Sequence, residues 1–255
     1  MADTVDFCVA ALDAGIGLRV ATANLDFLAR ARRDPQLRDD LAGSSICVAD
    51  GAPVVWLARL LGGGRVSRVP GVDLVGGLCG RAQARGGMRV AMYGSTEGTA
   101  RAAAAALEGR YPGTEVVAIE CPPFRALTPA ELDAGVSRLV GAQPDLVLVA
   151  LGCPRQERFI AEQFERIPSA LWLGIGGTFD FYAGKRARAP RLVQRLGAEW
   201  AVRLAQEPGR LWRRYLVDDL PVLVRLAPAC LLRALRRPRS APGVEALRAR
   251  IAVAR

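Results

Sequence analysis

Short apolar runs alternate with stretches of helical spacing along most of the chain. The runs at 18–22, 45–48, 88–93, 115–119, 145–151 and 170–175 read as strands. Helical patterns lie between them, at about 24–33, 53–61, 71–85, 96–109, 129–141 and 155–166. The run L-V-L-V-A-L at 146–151 has no polar position, as expected of a strand buried on both faces. Strand and helix in alternation, with short connections, predict a parallel sheet covered on both sides. The fold expected is therefore α/β, a Rossmann-like doubly wound parallel sheet over residues 1–190.

After Pro190 the pattern changes. Residues 192–255 have helical spacing and no strand candidate, and Pro208, Pro221, Pro228 and Pro238 are expected to cut them into short helices. The run L-P-V-L-V-R-L-A-P-A-C-L-L-R-A-L-R-R at 220–237 mixes apolar and basic positions. Its uncharged stretches fall well short of the roughly 20 residues a spanning helix needs. Two readings stay open for it: an amphipathic helix on a membrane surface, or a helix packed on the core with a solvated basic face. Residues 191–255 are thus a helical, basic C-terminal appendage to the sheet domain.

Charge sharpens that division. Residues 1–184 carry 18 basic and 20 acidic side chains, a net of −2; residues 185–255 carry 17 and 5, a net of +12. Such asymmetry points to a polyanionic partner: nucleic acid, anionic lipid or a diphosphate. The tail lacks the aromatic–basic interleaving of a nucleic-acid binder, so no nucleic-acid partner is expected. The chain has no histidine, which excludes histidine ligation and histidine base catalysis. A general base near neutral pH then falls to a carboxylate or a rarer group. The six cysteines stand alone, with no C-x-x-C pair, and the acidic N-terminus does not resemble a signal peptide. Free thiols in a cytoplasmic protein are the expectation.

In an open parallel sheet, ligands bind beyond the carboxyl ends of the strands. Five of the six candidate strands are followed there by a polar turn: Thr22-Ala23-Asn24, Asp50-Gly51, Gly94-Ser95-Thr96, Gly152-Cys153-Pro154-Arg155-Gln156-Glu157, and Gly176-Gly177-Thr178-Phe179-Asp180. Asp50 reads either as a helix cap or as a general base at a strand tip. Gly94 would let backbone approach a phosphate at a helix start. Gln156 suits hydrogen bonding to a sugar or base. Arg203, Arg210 and Arg213, at i, i+7 and i+10, would share one helix face, either solvated or clamped on a diphosphate. Neither G-x-G-x-x-G nor a Walker motif appears, which weighs against an oxidoreductase on this fold class.

Taken in order, these motifs resemble the WecG/TagA/CpsF family of bacterial glycosyltransferases. The marks are T-A-N-L-D at 22–26, A-D-G at 49–51, R-V-P-G-V-D-L at 68–74, Y-P-G at 111–113 and L-G-C-P-R-Q-E at 151–157. They continue with G-I-G-G-T-F-D at 174–180, A-G-K-R-x-R-A-P at 183–190 and E-W-x-x-R-L-x-x-E-P-x-R at 199–210. Two positions depart from the family pattern: Ala49 replaces a proline, and C-P-P-F at 121–124 replaces a Gly-x-Phe turn.

The resemblance implies a sugar taken from a UDP donor, often UDP-N-acetylmannosamine. It is passed, with inversion and without a bound metal or cofactor, to N-acetylglucosamine on undecaprenyl diphosphate. It implies catalytic roles for Asp50 as base, Thr22, Arg68 and Gln156. Substrate contacts are expected from Asn24, Gly94, Gly152, Gly177, Asp180, Arg203, Arg210 and Arg213. The partners expected are the UDP-sugar, a polyprenyl-diphosphate acceptor and an anionic membrane surface, with the enzyme peripheral on the inner face of the cell membrane. The sequence leaves the sugar, the polymer and homo-oligomerisation open.

Overall fold

A computed structural model describes residues 1–61, 66–195 and 197–234, the side chains of Arg195, Arg210, Arg233 and Ala234 excepted. Six strands form one sheet: β1 (Leu18–Ala23), β2 (Ile46–Ala49), β3 (Met88–Gly94), β4 (Thr114–Glu120), β5 (Leu146–Ala150) and β6 (Leu171–Gly174). Their order is β2-β1-β6-β5-β3-β4, and every pairing is parallel. The expected α/β, Rossmann-like fold is the one found. From β1 the chain steps outward to β2; from β3 it steps outward to β4 in the opposite direction.

The helices in chain order are α1 (Ala2–Asp13), α2 (Leu25–Ala31), α3 (Pro35–Ala42), α4 (Ala52–Leu60), α5 (Gly71–Cys79), α6 (Ala82–Arg85) and α7 (Glu97–Arg110). They continue with α8 (Pro129–Gly141), α9 (Arg155–Gln163), α10 (Thr178–Tyr182), α11 (Arg191–Arg195), α12 (Glu199–Gln206), α13 (Pro208–Arg213) and α14 (Leu220–Ala234). None of the described helices is long and apolar enough to cross a membrane.

The period-two alternation of the strands builds two cores from one sheet. Leu146, Leu148, Leu171, Leu173, Val90 and Met92 face one side, against α1, α5 and α7 residues such as Val5, Leu74 and Leu107. Val147, Val149, Ala91, Tyr93 and Trp172 face the other, with Val136, Leu139, Phe159 and Ile160. There Phe159 stacks on Tyr93 at 4.2 Å between ring centroids, and the Trp172 indole N–H donates to the Ile167 carbonyl at 3.2 Å. Buried aromatic N–H groups need such a partner.

The pattern at 24–33 forms one helix, α2, and a further helix that the pattern did not announce, α3, follows it: Asp34 caps α3 through its hydrogen bond from the Leu37 N–H, and Pro35 occupies its first position. Two expectations about helices change. The pattern at 71–85 breaks into α5 and α6. In the tail, Pro208 does start a new helix, but Pro221 and Pro228 break nothing: helix runs from Pro208 to Ala234. A π-helical turn over Arg214–Asp219 stands just before Pro221. Proline there has no N–H to continue an α ladder and would crowd the preceding turn, and the wider turn accommodates it. Pro238 lies outside the described residues.

This long helix packs back on the sheet domain. Val222 and Cys230, with Leu223, Leu226 and Ala227 beside them, meet Leu25 and Ala29 of α2 and Leu57 of α4. Its opposite side leaves Val217, Val224, Leu231 and Leu232 each half or more exposed.

Candidate active site

The carboxyl ends of the strands open into one cleft of about 860 Å³. Four sequence-predicted residues reach it from the first two strand tips and the loop that follows: Thr22, Asn24, Asp50 and Arg68. Strand pairing sets their neighbourhood. Thr22 lies beside Val48, Ala23 beside Ala49, and the Asp50 N–H donates to the Ala23 carbonyl at 2.9 Å. Asp50 therefore sits one residue past the end of β2, at the mouth of the β1 tip.

Its carboxylate caps nothing: the N-cap of α4 is Gly51, which makes no side-chain cap bond. Among the described residues it has no hydrogen-bond or ion-pair partner. Burial pushes its pKa up to about 6, with Arg203 and Arg68 pulling down and Glu199 and Asp73 pushing up. A half-buried carboxylate that titrates near 6 and has an open face is suited to accepting a proton from a hydroxyl.

The other predicted residues divide by what they touch. Thr22 is buried and donates to the Gly174 carbonyl at the end of β6, at 2.8 Å. Asn24 caps α2, accepting from the Phe27 N–H at 3.3 Å, and also accepts from Arg214 at 3.4 Å. Gln156, at 2% exposure, has an amide engaged on both sides: Oε1 accepts from the N–H of Gly152 at 3.2 Å and of Gly176 at 3.0 Å, and Nε2 donates to Glu157 at 2.7 Å. It joins the tips of β5 and β6. Gly152 and Gly177 line the cleft. Gly94 does not; a Cβ there would lie 2.6 Å from the Ala150 carbonyl, and its φ is +104°, so glycine is needed for backbone packing. The neighbouring Ser95 and Thr96 line the cleft in its place.

Basic and acidic groups interlock along the opposite wall. Arg68 pairs with Glu199 at 2.8 Å, Arg186 with Asp180 at 3.2 Å and Glu207 at 2.7 Å, and Arg188 with Asp73. Arg203 lines the cleft over the Phe181 ring, 5.7 Å from its centroid, with no carboxylate in ion-pair reach among the described residues. Lys185 donates to Thr99 at 2.5 Å, near the start of α7.

The single arginine stripe expected in the tail does not form. Arg203 belongs to α12, whereas Arg210 and Arg213 follow a break at Glu207, where φ is −134° and ψ is 59°. Arg213 is exposed and off the cleft wall, and the side chain of Arg210 is outside the described residues. Arg214 faces inward instead, toward Asp26 at 3.3 Å, Asn24 at 3.4 Å and Asp219 at 3.9 Å. Sequence reasoning missed it, along with Lys185, Glu199 and Asp219. Only the adjacent Arg213 hinted at it, and the π turn that decides which arginine faces inward leaves no mark in periodicity.

A parallel sheet with a carboxylate, an amide and a cationic wall gathered at its strand tips is suited to holding a polar, anionic ligand there. The chain belongs to the glycosyl transferase WecG/TagA/CpsF family, whose pattern it matches over residues 1–239, and is a glycosyltransferase. It is 31% identical over 205 residues to the N-acetylglucosaminyldiphosphoundecaprenol N-acetyl-beta-D-mannosaminyltransferase of Bacillus subtilis (strain 168), covering 80% of this chain and 77% of that protein. The protein of the same description from Bacillus spizizenii is similar to the same extent. An oxidoreductase on this fold class is thereby set aside.

Proposed function

We propose that the chain moves N-acetylmannosamine, or a related hexose, from a UDP donor to N-acetylglucosamine on undecaprenyl diphosphate. The product would serve cell-wall or extracellular polysaccharide synthesis. The acceptor and sugar named for the Bacillus relatives support this reading. The observation that carries it is Asp50, a carboxylate titrating near 6 at the mouth of the cleft and without a partner among the described residues.

The reaction is a single displacement with inversion. The acceptor hydroxyl oxygen attacks the anomeric carbon while Asp50 takes its proton. The bond from that carbon to the donor's diphosphate oxygen breaks, and the electron pair leaves with UDP. Arg203 and Lys185 line the cleft without carboxylate partners among the described residues and would meet the growing charge. In this reading that charge neutralisation takes the place of a metal ion. Arg68, tied to Glu199, faces either the acceptor diphosphate or the leaving group. Thr22, Asn24 and Gln156 fix the loops that orient the sugars.

The helical appendage from residue 191 has two roles in this reading: its first part closes the donor side of the cleft, and its exposed apolar face meets anionic lipid at the inner surface of the membrane. The test is a panel of UDP-sugars with a short-chain lipid-diphosphate N-acetylglucosamine, run with and without excess EDTA. New glycolipid from UDP-N-acetylmannosamine, undiminished by EDTA, is the expected result. No product from any UDP-sugar would overturn the donor assignment, and loss in EDTA restored by magnesium would overturn the charge-neutralisation account.

A further inference from the structure

We propose that Glu157 is a positioning residue of the transfer site, acting through Gln156 to hold the tips of β5 and β6 in register. This rests on the cleft being the sugar-transfer site. The Gln156 amide can serve two loops only in one orientation. With Oε1 toward the Gly152 and Gly176 N–H groups it accepts twice; turned over, its NH₂ would face two donors. Glu157 selects the working orientation by accepting from Nε2 at 2.7 Å.

The fold makes room for this pair. A Cβ on Gly174 would lie 2.7 Å from Gln156 Nε2 and 3.1 Å from Glu157 Oε1, so β6 ends on a residue with no side chain. The Gly174 carbonyl in turn accepts from Thr22 at 2.8 Å, which ties β1 into the same network. Gly152, Gly176, Gly177 and Thr22 all line the cleft. A displaced amide would therefore move three strand tips against the substrate.

Glu157 is itself held off the cleft by its surroundings. At 6% exposure, its second oxygen is buried without a partner, and so is Oδ2 of Asp40 on α3. Both residues border a void of about 10 Å³ beneath β1, with Arg19 and Ser44 also on its wall. Such a void is about the size of one water molecule. Burial pushes Glu157 up to about 7, and Asp40 adds to the rise, while Gln156 and Cys153 oppose it.

The experiment compares Glu157→Met and Glu157→Gln with the wild type in the transfer assay, alongside amide hydrogen exchange at Gly152 and Gly176. Glu157→Met removes the acceptor. It should speed exchange at both glycines and lower kcat, each by roughly 10-fold or more, the worth of a lost buried hydrogen bond. Glu157→Gln keeps a neutral acceptor and should recover most of both. If a thermal melt shows that the Met variant is unfolded, Glu157→Asp, which withdraws the acceptor by one methylene, takes its place with the same expected losses. Unchanged exchange and kcat in the acceptor-removing variant, or a Gln variant as impaired as it, would overturn the proposal. The exchange readout needs no turnover, so a wild type that transfers no sugar would count against the functional reading alone.

Discussion

At the scale of single residues, the account turns on which groups near the cleft can change charge. Asp50 works as a base only when ionised, so kcat/KM should fall with one-proton dependence as pH drops below about 6. Arg203 is the largest of the neighbouring charges that hold this pKa down. Removing it in Arg203→Ala takes away a favourable partner of the carboxylate, so the acid limb should move to higher pH. A pH–rate profile of both proteins checks this; a limb that stays put would remove Arg203 from the neighbourhood of the base. Much of this residue set was legible in the sequence, because polar turns after apolar strands must meet at one end of a parallel sheet. The partners were not. Pairings such as Arg68 with Glu199 span 131 residues, and nothing local announces them.

Among the elements, the strands were the most legible, since runs such as L-V-L-V-A-L have no polar face to turn toward water. The tail helices were the least legible. Proline predicts breaks, but a π turn absorbed Pro221, and the same turn placed Arg214 and Asp219 together on the inward side. Arg214→Ala should cost about 1–3 kcal/mol, because the buried Asp219 loses its partner. Arg213→Ala, on an exposed side chain, should stay within about 0.5 kcal/mol. Thermal melts of the two variants decide it, and equal effects would mean that the π turn does not set the arginine facing.

For the whole molecule, the long tail helix is packed on the core, as one reading of its sequence expects, and it also keeps an exposed apolar side. One side, through Val222 and Cys230, is packed on α2 and α4, and Leu223 is spent there as well. The other leaves Val224, Leu231 and Leu232 in the open, in the quarter of the chain with net charge +12. Replacing these three by serine should leave the melting temperature nearly unchanged but reduce sedimentation with anionic vesicles. The wild-type binding itself should weaken as salt rises, since each basic residue near such a surface contributes about 1 kcal/mol and the interaction is screened. Vesicle binding unaffected by both changes would leave the exposed face without a membrane role.

The central claim is that Asp50 takes the proton in sugar transfer. Its most direct test is the turnover of Asp50→Asn, measured beside the affinity of the same protein for the UDP-sugar donor. The account predicts a fall in kcat of about 10²–10⁴-fold, the usual worth of a positioned base, with donor binding nearly unchanged. Full turnover in the asparagine variant would contradict it.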